Sequence, residues 1–220
     1  MSKRYRLVVF DWEGTISDTL GQIIDYVASE ARRLNLGEMD PELAREHVSL
    51  GLVNATKKVF PHLSPPQLEQ LLEAVQLKLY ARHAEVYLIP GVLELIQRLS
   101  KEGVFLAIAT NKGQQSLHKA LQSTGLEKYF TVTKSAGVLP SKPHPEMLVE
   151  ILRDFGVTPE DTLMIGDSPT DMEMAKSLEV DVIGVDFYHQ HPELLEQSGA
   201  LAVFDDYKLV ADFLQLPQKD

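Results

Sequence analysis

The chain has 220 residues, of which 44% are hydrophobic, enough for one substantial core or for one core with a smaller appended module. Its formal net charge of −11 disfavours binding to nucleic-acid phosphates or anionic membranes, and we expect neither partner. The absence of cysteine excludes disulfides, thiolate catalysis and cysteine-based zinc sites. The sequence has no apolar run near the roughly 18–20 residues of a membrane span and no secretory signal, so we expect a cytoplasmic protein.

Six short apolar segments, rich in β-branched residues, predict buried strands. In chain order they are LVVF at 7–10, VFLAIAT at 104–110, FTVT at 130–133, TLMIGD at 162–167, DVIGV at 181–185 and ALAVF at 200–204. Their hydrophobicity is nearly continuous rather than alternating, which is typical of strands covered on both faces of a parallel sheet.

Helical patterns with the usual end signals separate most of these strands. They cover residues 91–103, 112–125, 144–156 and 168–180, and the last of them opens with Ser168 and Pro169, which suit the N-cap and the first helical position. The alternation predicts an α/β fold, namely a Rossmann-like, doubly wound parallel sheet.

One long segment, residues 16–88, contains helical periodicity and no convincing buried strand. Apolar stripes run along residues 20–36 and 64–83. A stretch of roughly 70 residues is far too long for a simple loop between strands. We therefore predict an α-helical domain of residues 16–88, inserted over the carboxyl end of the sheet into a core of residues 1–15 and 89–220.

Polar side chains follow three of the predicted strands or stand in the loop before a helix. They are Asp11 and Glu13 after the first strand, Thr110 and Asn111 at the end of the second, Asp167 and Asp171 at and beyond the end of the fourth, and Lys142 before the 144–156 helix. Because ligands of doubly wound sheets bind outside the carboxyl ends of the strands, we expect these side chains to meet at one site.

These residue types are the ones that displacement at phosphorus requires. A carboxylate nucleophile can form an aspartyl-phosphate, and a second carboxyl group can protonate the leaving oxygen and then activate water. A hydroxyl and a cation can hold the phosphoryl oxygens. A further carboxylate can share Mg²⁺ with the nucleophile. Without a cation, four neighbouring carboxylates would repel one another and a phosphate, so the acid excess predicts a metal.

At these residues the chain resembles the haloacid dehalogenase superfamily over essentially its whole length. The first motif of that superfamily, D-x-D-G-T, is DWEGT at 11–15, and the Thr that ends the second strand lies in ATNKG at 109–113. The third motif is the Lys of SKPHPE at 141–146, and the fourth is GDSPTD at 166–171. The helical insertion corresponds to the C1 cap, and the layout looks most like the phosphoglycolate-phosphatase subgroup.

The resemblance implies catalytic and phosphate-binding roles. Asp11 would be the nucleophile and Glu13 the general acid and base. Thr110 and Lys142 would bind the phosphate, and Lys142 would also assist catalysis. Asn111 follows the Thr and would bind either the phosphoryl group or the loop of the nucleophile.

The resemblance also implies a magnesium site. Asp11, the main-chain oxygen of Glu13 and Asp167 would ligate Mg²⁺, while Asp171 would orient Lys142 or a metal-bound water. Glu13 departs from the usual Asp, and its extra methylene moves the proton by about 1.5 Å when extended. The enolase-phosphatase branch carries a similar D-x-E-G-T sequence.

We therefore predict a Mg²⁺-dependent phosphatase that hydrolyses a small, phosphoglycolate-like metabolite through an aspartyl-phosphate, acting as a monomer or homodimer. The alternatives are phosphosugar mutase, pyrophosphatase or enolase-phosphatase chemistry on the same core, or a catalytically weak binding homologue.

Overall fold

In the computed structural model the chain is described over residues 5–47, 51–81 and 85–217, without the side chains of residues 45, 46 and 51. The chain forms two compact units. The sheet unit comprises Met1–Ser17 and Leu88–Asp220, and the helical unit comprises Asp18–Tyr87. Across the described ranges, no helix combines the length and apolar character that crossing a membrane requires.

The described part of the sheet unit contains one six-stranded sheet in the order β3-β2-β1-β4-β5-β6, with each neighbouring pair parallel. The strands are β1 Leu7–Phe10, β2 Phe105–Thr110, β3 Val132–Ser135, β4 Thr162–Gly166, β5 Asp181–Val185 and β6 Val203–Phe204. The strand order reverses at β1, where a doubly wound sheet opens a crevice for ligands. The predicted fold class is confirmed.

Two strands differ from the sequence-based prediction by two or more residues, while β2 and β4 are each one residue shorter than predicted. β3 begins at Val132 rather than Phe130, because the ring of Phe130 packs edge-to-face against Phe10 at 5.9 Å and leaves the pairing with β2 to residues 132–135. β6 shortens to Val203–Phe204 and pairs with β5 at the edge of the sheet. Neither change touches the strands that carry the predicted site.

Six helices of the described chain belong to the sheet unit. They are α5 Val92–Lys101, α6 Gln114–Thr124, α7 Glu146–Phe155, α8 Pro169–Lys176, α9 Pro192–Ser198 and α10 Tyr207–Phe213. One core cluster packs apolar side chains of β1, such as Leu7 and Val9, against Met147 of α7 and Met172 of α8. All four residues of β1 are fully buried, as expected for the central strand of a two-sided sheet.

The helical unit has its own core. Its described helices are α1 Thr19–Arg33, α2 Pro41–His47, α3 Gly51–Val59 and α4 Pro65–Ala81. Tyr26, Val27 and Ala31 of α1 pack with Leu71 and Val75 of α4. These are the apolar stripes read from the sequence, so the helical periodicity gave the correct element type here.

Candidate active site

The site begins where β1 ends. Phe10 pairs with Ile108 of β2 on one side and with Ile165 of β4 on the other. The next residue, Asp11, stays in register, since its backbone N–H donates to the carbonyl oxygen of Ile165 at 2.9 Å. The ladder therefore sets Asp11 beside Gly166 and Asp167 at the carboxyl edge of the sheet.

A buried ion cluster forms around Lys142. Its Nζ lies 2.7 Å from Oδ1 of Asp11 and 2.6 Å from Oδ1 of Asp171. Asp11 and Lys142 are each 6% exposed and Asp171 is fully buried. One ammonium thus bridges two carboxylates that are 160 residues apart in the chain.

Asp171 is held by the first turn of α8. Its Oδ2 accepts hydrogen bonds from the backbone N–H of Ser168 at 3.2 Å and from the Ser168 hydroxyl at 2.7 Å. Ser168 is the N-cap and Pro169 the first residue of the helix, as predicted. Because the other oxygen faces Lys142, both carboxylate oxygens of Asp171 are engaged by protein donors.

Burial and mutual repulsion disfavour the ionised forms of two carboxylates in the site. Burial raises the pKa of Asp11 to about 6, and the negative charge of Asp171 adds to the effect. Burial raises the pKa of Asp167 to about 8, with repulsion from Asp11 next in size. Burial by itself lowers the pKa of Lys142, but the charges of Asp171 and Asp11 outweigh it and raise that pKa.

The carboxylate set fits a hard divalent cation. Oxygen atoms of Asp11, Asp167 and Asp171 lie within 4.8 Å of one another, and oxygen ligands are what Mg²⁺ and similar ions prefer. Burial and repulsion between the acids raise the pKa values of Asp11 and Asp167, and a bound cation would offset both effects. Since Asp171 is already engaged by Lys142 and Ser168, Asp11 and Asp167 are the better side-chain ligands.

Two glycines allow the acids to approach the backbone. A Cβ on Gly14 would lie 1.9 Å from Oδ2 of Asp167, and Gly14 has a φ of +71°, which favours glycine. A Cβ on Gly166 would lie 2.4 Å from the carboxyl carbon of Asp171. A side chain at either position would displace a carboxylate of the cluster.

Thr110, the last residue of β2, and Asn111, which follows it, make different contacts. Oγ1 of Thr110, which is 1% exposed, accepts from the backbone N–H of Lys112 at 3.1 Å. Asn111 Oδ1 accepts from the backbone N–H of Lys142 at 2.8 Å, so this side chain ties together the loops after β2 and before α7. The sequence analysis expected Asn111 to bind the phosphoryl group or the loop of the nucleophile. In the structure its side chain binds the loop of Lys142.

Glu13 contacts a lysine that the sequence-based prediction left without a role. Lys112 Nζ donates to Oε1 of Glu13 at 2.6 Å, with side-chain exposures of 27% for the lysine and 43% for the glutamate. The predicted site residues therefore form a buried cluster of Asp11, Lys142 and Asp171 with Asp167 beside it, and a more exposed pair at its rim.

Tyr207 is a second residue near the site to which the sequence analysis gave no role. It opens α10, is 1% exposed, and donates its hydroxyl proton to the carbonyl oxygen of Thr15. Burial, and then the charges of Asp167 and Asp11, raise the pKa of this phenol well above its usual value. The Thr15 hydroxyl in turn lies 3.5 Å from Oδ1 of Asp167. No local motif marks Tyr207, since its partner lies 192 positions away.

Comparison with known proteins identifies the family. The family model described as haloacid dehalogenase-like hydrolase matches residues 8–185. The chain belongs to this hydrolase family, and the resemblance read from its four motifs is confirmed.

Individual relatives match over nearly the full length. A phosphoglycolate phosphatase from Nitrosococcus oceani is 28% identical over 212 residues, covering 93% of this chain and 94% of the relative. Another from Rhodospirillum rubrum is 28% identical over 224 residues, covering 97% and 92%. A crystal structure of a HAD family hydrolase from Deinococcus radiodurans, with bound phosphate and sodium, has a TM-score of 0.69 at 19% identity and covers 99% and 100%. This last likeness supports the fold.

Proposed function

We propose that the chain is a Mg²⁺-dependent phosphatase that hydrolyses a small phosphorylated metabolite, with 2-phosphoglycolate as the leading substrate. The observation that carries the proposal is the buried cluster of Asp11, Lys142 and Asp171 with Asp167 beside it, at the carboxyl edge of the sheet. Two phosphoglycolate phosphatases that align over more than nine-tenths of the chain support the substrate class.

In the first chemical step, Oδ of Asp11 attacks phosphorus and the bond from phosphorus to the bridging oxygen breaks. Glu13 gives its proton to that oxygen, and the alcohol leaves. Lys142 and the Thr110 hydroxyl hold the non-bridging oxygens, where negative charge develops. The Thr110 oxygen already accepts from Lys112 N–H, so its own proton is available for a phosphoryl oxygen.

In the second step, water attacks the phosphorus of the aspartyl-phosphate. Glu13, now ionised, takes a proton from that water while the bond from phosphorus to Asp11 breaks and inorganic phosphate forms. Asp171 holds Lys142 throughout, because it is itself fastened to Ser168 at the start of α8. The aspartate carboxylate is regenerated and no external co-reactant other than water is consumed.

Asp11, Asp167 and the main-chain oxygen of Glu13 would hold the magnesium ion. When bound, the ion supplies the positive charge that the carboxylates lack and screens their repulsion with the phosphate. The raised pKa values of Asp11 and Asp167 support a cation at this position.

We also propose that the helical unit is the cap that selects the leaving group. The chain enters it immediately after the loop that carries Asp11 and Glu13, and Ser17 pairs with Leu88 where the chain returns. An inserted domain tethered there is suited to excluding bulk water during the reaction. The net charge of −11 supports a partner that is neither nucleic acid nor membrane, and we expect a cytoplasmic monomer or homodimer.

The decisive experiment measures phosphate release with 2-phosphoglycolate, glucose 1-phosphate, pyrophosphate and an enol phosphate, each with and without Mg²⁺. We expect hydrolysis that requires Mg²⁺ and disappears in Asp11→Asn, with 2-phosphoglycolate preferred. Asp212→Asn, at an exposed position of α10, is the matched control and should retain activity. Preferential phosphate release from pyrophosphate or from the enol phosphate would select that chemistry, and conversion of glucose 1-phosphate to glucose 6-phosphate would select the mutase. Absence of any conversion of the four compounds would indicate a binding homologue.

A further inference from the structure

Lys112 contacts two of the residues that the proposed reaction uses. Its backbone N–H donates to Oγ1 of Thr110 and its Nζ donates to Oε1 of Glu13. Thr110 ends β2 and Glu13 follows β1, and these two strands are neighbours in the sheet. One residue therefore links the loop that carries the acid to the strand end that carries the hydroxyl.

The ion pair between Lys112 and Glu13 contributes little to folding stability. At side-chain exposures of 27% and 43% the two charges are screened by water, and exposed pairs of this kind add little to stability. The pair is nevertheless short, at 2.6 Å, and joins residues 99 positions apart. Its main effect is thus on where the carboxyl group of Glu13 lies.

Glu13 needs such a partner more than an aspartate would. Its extra methylene adds a rotatable bond. A partly exposed glutamate without a hydrogen-bonding partner therefore populates additional rotamers in which its carboxyl group is misplaced. Proton transfer requires the carboxyl group within hydrogen-bond reach of the leaving oxygen or of the attacking water. Misplacement of a reacting group by about 1 Å can cost roughly a hundredfold in rate.

We propose that Lys112 is a positioning residue that acts through Glu13: it holds the Glu13 carboxyl group at the rim of the site. This inference rests on the proposed phosphatase function. Lys112 itself does not handle the transferred proton. Its backbone bond to Thr110 keeps its own side chain anchored on the β2 side of the site.

The test is a double-mutant cycle on turnover of an alkyl phosphate, 2-phosphoglycolate. Lys112→Met should lower kcat by about tenfold or more and leave KM within about threefold. In the Glu13→Gln background the same change should lower kcat by less than about twofold, because the group it positions is gone. Lys112→Arg keeps the charge and should recover part of the loss. Lys119→Met, on the exposed face of α6, is the control for removal of a surface lysine.

A second substrate separates positioning of Glu13 from a general defect. The leaving group of 4-nitrophenyl phosphate departs without a proton, so the Lys112→Met loss in the first chemical step should be smaller with it, measured as the pre-steady-state release of nitrophenolate. Equal losses in both Glu13 backgrounds, or a rise in KM alone, would overturn the inference and show that Lys112 acts on the fold or on the substrate.

A structural measurement keeps the inference separate from the proposed function. If the wild-type protein hydrolyses none of the phosphates, the proposed function fails, and crystal structures of wild type and Lys112→Met then decide the inference. A Glu13 carboxylate that lies on Lys112 in the wild type and moves or becomes disordered in the variant supports positioning. The same Glu13 rotamer in both structures contradicts it.

Discussion

The site contains a buried cluster of charged side chains and a more exposed ion pair, which differ in burial and in the elements that carry them. Asp11, Lys142 and Asp171 are between 0% and 6% exposed, and they come from the end of a strand, a loop and the start of a helix. The Glu13–Lys112 pair lies at the rim, and its side chains are 43% and 27% exposed. Charges that are buried must be matched or they destabilise the fold, whereas charges at the surface are screened.

This difference separates two tasks of a phosphatase. The proposed nucleophile and the ammonium need fixed positions and a low local dielectric, which a buried cluster provides. The proposed acid must meet both a leaving group and a water molecule, which is easier at a hydrated rim. We therefore expect substitutions in the buried cluster to affect folding and activity together, and substitutions at the rim to affect activity alone.

The largest effect on stability is expected for Lys142→Met. It removes the ammonium between two buried carboxylates, and loss of one partner of a buried pair costs roughly 3–5 kcal/mol of unfolding free energy. Lys112→Met, the matched change at the rim, should cost less than about 1 kcal/mol. Urea denaturation of both variants measures the difference. Similar losses would show that burial does not distinguish the two lysines.

Removal of metal should make stability depend on pH. The pKa of Asp11 is about 6 when folded against 3.8 unfolded, so the unfolded chain loses its proton first and stability falls as pH rises from about 4 to 6. For Asp167, with a folded pKa of about 8, the fall continues to about pH 8. At about 1.4 kcal/mol per unit of pKa difference, Asp11 alone accounts for about 2–3 kcal/mol.

Thermal unfolding in EDTA and in Mg²⁺ tests this prediction. We expect a lower melting temperature at pH 8 than at pH 5 in EDTA, and a smaller difference once Mg²⁺ neutralises the acids. Asp167→Asn should flatten the EDTA curve, while Asp212→Asn should leave it unchanged. A curve in EDTA that is already flat for the wild type would mean that folding does not raise the pKa values of these acids.

Gly14→Ala should weaken the proposed metal site by moving Asp167, one of its proposed ligands. The new Cβ would overlap Oδ2 of Asp167, and the residue would also keep a φ of +71°. Gly103→Ala is a close control, because Gly103 has a φ of +75° and nothing within 4 Å of the added carbon. We expect about 1–2 kcal/mol from the backbone strain in both variants and a further loss in Gly14→Ala alone. Titration calorimetry with Mg²⁺ should show weaker binding only for Gly14→Ala.

Tyr207→Phe should weaken Mg²⁺ binding less than Gly14→Ala does. It removes the bond to the Thr15 carbonyl while keeping the ring that packs against Phe187 at 5.0 Å. A buried carbonyl left without its donor costs roughly 1–3 kcal/mol. Since Thr15 lies near Asp167, a modest fall in Mg²⁺ affinity should accompany the loss of stability. Unchanged unfolding and unchanged Mg²⁺ affinity would show that Tyr207 does not support this loop.

Much of the sheet unit was predictable from local pattern. β1 and β5 appear with the predicted bounds because a continuous apolar run flanked by turn residues has few other stable uses in a parallel sheet. The start of α8 was predictable for a similar reason, since Ser168 and Pro169 are a local end signal. β3 begins two residues later than predicted because Phe130 packs against the ring of Phe10. This contact joins segments that are far apart in the chain.

The chemistry of the site followed from the sequence alone: which residues are acids, which is the ammonium, and that they follow strands whose ends meet at one edge. The tertiary structure alone decided the pairings. That Lys142 lies between Asp11 and Asp171, that Lys112 holds Glu13, and that Tyr207 supports Thr15 depends on strand order and register. Those are set by the packing of segments far apart in the chain, for which no local pattern of residues carries a signal.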